Sequence, residues 1–183
     1  MKKLLALFCL ALICLTSSAT NKGVIVDSAN VLKVKVLPAS DIARIPVQVE
    51  MENPTVPMTC VQCYLQVSDT TALFCKDGEE KGYIFSRTPR WTSSHNAMLA
   101  WNTKKHPNTL MVMVISAKSR DFEGNTGGVV TVYLDGSKLK NGKYTVSLVS
   151  SNMVWTDRRA VKTYYTPDTD TVFYIKNGKL VLK

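Results

Sequence analysis

The segment Arg44-Ile45-Pro46-Val47-Gln48-Val49-Glu50-Met51 decides the fold class. In an extended chain Ile45, Val47, Val49 and Met51 point to one side and Arg44, Pro46, Gln48 and Glu50 to the other; a helix would scatter both sets around its circumference. Strict alternation of this kind is the signature of a half-buried β-strand. Pro46 has no N–H to give to a ladder, which predicts an edge position for this strand.

The same period recurs outward from that segment. Val31–Val36 puts Leu32, Val34 and Val36 inside and Lys33 and Lys35 outside. Thr59–Val67 puts Val61, Cys63, Leu65 and Val67 inside and Cys60, Gln62, Tyr64 and Gln66 outside. Further strands are read at Gly82–Ser86, Leu110–Ser116, Val129–Leu134, Lys143–Val149 and Thr171–Lys176, separated by turn clusters such as Lys76-Asp77-Gly78 and Lys140-Asn141-Gly142. Asn177-Gly178, between Phe173-Tyr174-Ile175 and Leu180-Val181-Leu182, is a two-residue hairpin signal, because a type I′ turn needs positive φ at both central positions. No segment sustains a helical period. About nine short strands without helical crossovers predict an all-β, antiparallel sandwich.

Composition agrees. The chain has 183 residues, 45% hydrophobic and 20% charged, which excludes disordered and collagenous classes. Met1-Lys2-Lys3, the apolar stretch Leu4–Leu15 and the small residues Thr16-Ser17-Ser18-Ala19 read as a signal peptide over residues 1–19. A secreted, periplasmic or cell-surface location is expected from it. Ile13 is bulkier than lipoprotein processing at Cys14 would want, so simple export is expected over a lipid anchor. Residues 20–183 then form a single domain with a C-terminal hairpin extension. No later segment reaches the roughly 20 apolar residues of a membrane-spanning helix. The formal charge of +9 falls to +7 once Lys2 and Lys3 are removed. Lys33, Lys35, Arg87, Arg90, Lys104, Lys105, Arg158 and Arg159 are dispersed along the chain, so nucleic acid is not an expected partner.

Five cysteines become three after the leader: Cys60, Cys63 and Cys75. Cys60 and Cys63 have redox spacing, but three residues of strand separate them by about 10 Å on opposite faces, beyond the roughly 7 Å limit for a disulfide. Cys63 reads as a buried thiol; a Cys60–Cys75 bridge is permitted by an oxidising compartment and selected by nothing in the sequence. The two histidines and three thiols lack the paired spacing of a zinc site, and no metal or other cofactor is expected. Ser94-His95 are chain neighbours without a nucleophile elbow, and Asp121 and Glu123 flank a solvated turn, so no enzymatic activity is expected. The aromatic set Trp91, Trp101, Trp155, Tyr64, Tyr133, Tyr164 and Tyr165 is of interest because an exposed ring can stack on a sugar. Tyr64 and Tyr133 fall on polar phases and Trp91 in a polar loop, so these three are the candidate ligand-contact residues.

Ile45-Pro46-Val47-Gln48-Val49, Val61–Val67, Ser94-His95, Phe122-Glu123-Gly124-Asn125-Thr126-Gly127-Gly128 with the strand Val129–Val132, and Gly142–Val146 occur in an order that resembles the cohesin-like domains of exported Bacteroidetes proteins. The resemblance spans about Ile25 to Asp157. Within the best segment, Gly124 and Gly127 permit backbone forbidden to other residues, Asn125 tolerates the left-handed region and Phe122 can plug the sandwich end. The resemblance implies a nine-stranded jelly roll, a stabilising place for His95, and non-catalytic binding of a dockerin-type protein module or a polysaccharide. The alternative is a structural or adhesion subunit that assembles through sandwich edges.

Overall fold

The computed structural model describes residues 25–26, 29–77, 82–101, 108–156 and 161–183. The leader expected at residues 1–19 lies outside the described residues, as do Gly78 of one expected turn and Lys104, Lys105, Arg158 and Arg159. Among the described residues the strands run β1 Ile25–Val26, β2 Val31–Val36, β3 Ile45–Glu52, β4 Cys60–Val67, β5 Leu73–Phe74, β6 Phe85–Arg87, β7 His95–Trp101, β8 Thr109–Ser116, β9 Thr126–Asp135, β10 Gly142–Thr156, β11 Val161–Tyr165, β12 Thr169–Lys176 and β13 Lys179–Leu182. A 3-10 turn, Ile42–Arg44, leads into β3 and is capped by the Asp41 side chain.

Two sheets result. The larger is ordered β1-β11-β10-β4-β8-β7, with β12 on β10 and β13 on β12; the smaller is β2-β3-β9-β5, with β6 on β9. All described pairings are antiparallel except β1 with β11, which is parallel. The sheets close over the alternating apolar faces read from the sequence. Leu32, Ile45, Val47, Val49, Met51, Val61, Cys63, Leu65, Val130, Val132, Leu134, Val146, Leu148 and Phe173 are all buried in one core. The hairpin at Asn177-Gly178 has the expected positive φ at both positions, 49° and 69°. It is integral to the larger sheet, since Phe173 and Ile175 sit in that core.

Several expectations are corrected. β3 is an interior strand flanked by β2 and β9, so Pro46 does not mark an edge. Its carbonyl accepts from Leu37 N–H at 2.9 Å, one residue beyond the end of β2, and a missing donor is tolerated where the ladder stops. Asn125 does not adopt positive φ; Gly124 (68°) and Gly127 (114°) do, while the Asn125 carbonyl accepts from Asn53 N–H at 2.8 Å. Cys60 and Gln62 keep their outward phase but are buried, because β4 lies between two broad neighbours.

β10 is the axis of the larger sheet. Its first half pairs with β12 and its second half with β11, while β4 runs along its other side. Between Val149 and Asn152 the register against β4 slips by one residue, and Ser150 takes a φ of 50°. The extra residue bends the strand and reverses its alternation. Before it Tyr144, Val146 and Leu148 point inward; after it Ser151 and Met153 do.

Candidate functional site

At one end of the sandwich the segment Phe122–Gly128 is closed by a residue that reads from the sequence as a surface charge. Arg90 is only 6% exposed. Its guanidinium donates to the carbonyls of Met51, Glu123, Gly124 and Gly127 and to Asn53 Oδ1, at 2.7–3.5 Å. Burial lowers its pKa, and the acceptors are neutral, so the ion is held by oriented dipoles rather than by a carboxylate. Phe122 is buried and stacks on His95 with centroids 4.2 Å apart.

Trp91 is not exposed. It belongs to the core, its Nε1 donates to Val129 O, Phe85 stacks on it at 6.0 Å, and the Arg87 guanidinium sits 5.0 Å from its ring centroid. Phe85 and Arg87 of β6 cover its ring, which removes it as a sugar-stacking platform. Tyr133 is half-buried, its hydroxyl 2.7 Å from Ser86 Oγ and its ring covered by Arg44 at 4.6 Å. Tyr64 is half-buried on the outward side of β4, opposite Met111 of β8. The three candidate aromatics are therefore not brought together.

His95, the first residue of β7, is fully buried. Its Nδ1 accepts from Thr92 N–H at 3.0 Å and lies 2.9 Å from Thr92 Oγ1, while Nε2 has no partner. Burial pushes the imidazole pKa down to about 4. Thr92, Ser94 and Ser116 continue as a chain of hydroxyls at 2.8 and 3.0 Å, ending on Arg120 N–H. A base and hydroxyls are thus adjacent, but the imidazole is sealed in and stacked on Phe122. The two Thr92 contacts fix the orientation of the imidazole at the start of β7. Cys60, Cys63 and Cys75 are not joined to one another by a disulfide, and burial pushes Cys63 up to about 12, so it is an inert core group. No group of three or more metal-ligating side chains occurs among the described residues.

The outward side of the larger sheet carries a feature that alternation alone does not reveal. Cys60, Met113, Ile115 and Val154 form a second apolar cluster separate from the core, with Met98 packed against it. Cross-strand register sets these residues in rows. Val154, Cys60 and Ile115 are mutual partners, as are Asn152, Gln62, Met113 and Met98 in the next row. Half-buried Met111, Tyr64 and Val149 form a third. Outward positions of an antiparallel sandwich are ordinarily polar. Gln62 and Asn152, directly opposite each other beside this cluster, are buried, and Gln62 Oε1 and Asn152 Oδ1 have no hydrogen-bond partner.

No helix among the described residues is long and apolar enough to cross a membrane. No family model matches the chain, and no curated protein matches it either. Solved structures do match. A cohesin module of a family 33 glycoside hydrolase from Clostridium perfringens superposes with a TM-score of 0.55 at 11% identity, over 78% of this chain and 95% of that one. A cohesin from Clostridium thermocellum, solved as a type I cohesin–dockerin complex, gives 0.55 at 9% identity over 83% and 97%. The sixth cohesin of scaffoldin B from Acetivibrio cellulolyticus, solved with a Cel5 dockerin, gives 0.54 at 10% over 78% and 97%. At these identities the likeness speaks to architecture, and with the strand order above it establishes a cohesin-like β-sandwich as the fold of this chain.

Proposed function

We propose that this chain is an exported, non-catalytic recognition module that binds a dockerin-type protein partner on the outward side of the larger sheet. The observation that carries the reading is the pair of unpartnered amide oxygens, Gln62 Oε1 and Asn152 Oδ1, buried beside the Cys60–Met113–Ile115–Val154 cluster. An orphaned buried acceptor costs about 1–3 kcal/mol in the free chain, a cost that a partner's donors would remove. The adjoining row of half-buried Met111, Tyr64 and Val149 supplies the accessible apolar surface that an interface centre needs. Two of the structurally similar cohesins described above were solved with dockerins bound, which supports the same class of partner here. Export rests on the leader at residues 1–19, and mass spectrometry of the mature protein is expected to find Thr20 first.

The test is capture from native extracts in calcium, with bound proteins identified by mass spectrometry. Wild-type bait is expected to retain a calcium-loop helical module that EDTA releases and Met111→Glu bait does not hold. Gln62→Met is expected to stabilise the free chain by about 1 kcal/mol while weakening capture, a split that a purely structural role for Gln62 would not produce. Folded bait that retains no such module, or retains it equally as Met111→Glu, overturns the reading.

A further inference from the structure

Four lysines set apart in the sequence, Lys143, Lys176, Lys179 and Lys183, share one face of the larger sheet. Lys143 of β10, Tyr174 of β12 and Val181 of β13 are direct cross-strand partners, and Lys176 lies directly opposite Lys179. Phe173 and Ile175 are buried in the core, which turns Tyr174 and Lys176 to the opposite, outward side. Lys143, Lys176, Lys179 and Lys183 are all exposed around half-buried Tyr174, with Lys183 Nζ 5.1 Å and Lys176 Nζ 5.8 Å from its ring centroid. None of the four has an ion-pair partner among the described residues.

Another alternating lysine pair shows that this is not the general state of the surface. On β2, Lys33 meets Glu52 at 2.8 Å and Lys35 meets Glu50 at 3.7 Å, so that face neutralises itself. Like charges placed directly opposite each other destabilise a sheet. Lysines on the terminal strand β13 can guard a sheet edge against unwanted pairing. That role does not reach Lys143, which lies on β10, two strands further in.

We propose that this basic face, formed by Lys143, Lys176, Lys179 and Lys183 around Tyr174, binds an acidic polysaccharide carrying carboxylate or sulfate groups. Flexible point charges on a flat face suit a repeating polyanion better than a shaped ligand. The one aromatic ring is already covered by cations, which disfavours the base stacking used for single-stranded nucleic acid. A flat sheet face offers no element to enter a duplex groove. Among the described residues, the exposed large hydrophobics Leu73, Phe85 and Val161 lie off this face, which disfavours insertion into a bilayer. The site is distinct from the apolar cluster: from Lys143 to Asn152 is nine residues along β10, roughly 30 Å at the rise of a strand.

The experiment measures binding of the full chain to immobilised polygalacturonate and dextran sulfate, with dextran, phosphatidylglycerol vesicles and single-stranded DNA as comparators. Wild type is expected to bind at least one of the acidic polymers, not dextran, with affinity falling as salt rises. The double variant Lys176→Glu/Lys179→Glu is expected to lose about tenfold or more, at roughly 1 kcal/mol per lysine facing an anionic surface. Lys118→Glu/Arg120→Glu, an equal charge change on exposed residues of the β8–β9 loop, is expected to stay within about twofold, since it lies beyond a Debye length. Circular dichroism verifies that both variants fold. Failure to bind either acidic polymer at low salt, equal losses in the two variants, or tighter binding to vesicles or DNA overturns the proposal. None of these results depends on the protein partner.

Discussion

Arg90 and His95 show how a residue's role is set by what folds over it. Arg90 spans carbonyls from β3, from the start of β9 and from the turn between β8 and β9, so one guanidinium ties three parts of the chain together. Arg90→Met would leave several of these acceptors buried without donors, and a loss of about 3 kcal/mol or more is expected in urea unfolding. Arg90→Lys should recover little, because an ammonium cannot reproduce the planar fork. His95 carries a pH signature. Its pKa is about 4 in the folded chain against 6.5 unfolded, so the unfolded state binds the proton more readily and stability falls as pH drops from about 6.5 to 4, then levels. The expected loss is up to about 3 kcal/mol. His95→Gln should flatten this part of the profile, and an unchanged profile would show that His95 stays uncharged for other reasons or does not titrate in this range.

At the scale of elements, legibility tracked unbroken alternation. Where it runs uninterrupted, as in β2, β3 and β4, strand and inward phase can both be read directly, whereas the continuous apolar runs of β8 and β12 give the strand without its phase. β7 escaped because Asn96, Ala97, Met98 and Ala100 are weak strand formers, and β11 because Lys162 and Thr163 carry no inward stripe. The second half of β10 escaped for a sharper reason: the slip at Ser150-Ser151 restarts the alternation out of phase, so the sequence reads as a strand that stops at Val149. Ser150 is held at that slip in a left-handed conformation, with its N–H donating to Asp168 Oδ1 at 2.9 Å. Ser150→Val is expected to cost about 1–2 kcal/mol and Ser150→Gly close to nothing, by thermal or urea unfolding. Equal effects of the two would mean the slip relaxes without strain.

For the whole molecule, what the sequence could not disclose is what topology assembles from distant segments. Trp91 and Arg90 look like loop surface until the turn before β9 closes over them. The apolar cluster needs one residue or more from β4, β8 and β10, each in an outward phase that reads as solvent-facing taken alone. The basic face draws on β10, β12 and β13, so no run of charge announces it. The smaller sheet, by contrast, pairs its outward lysines with glutamates and leaves little to attract a charged ligand. Both proposed surfaces meet on β10, the longest strand, which carries Lys143 at one end and Asn152 and Val154 at the other. A hydrogen-bonded strand flanked on both sides does not let its ends move independently. β10 therefore acts as a rigid strut of fixed length: under the two proposals above, a protein caught at one end would be held a set distance from a polymer caught at the other, and its effective concentration along that polymer would be fixed by geometry rather than by a flexible linker.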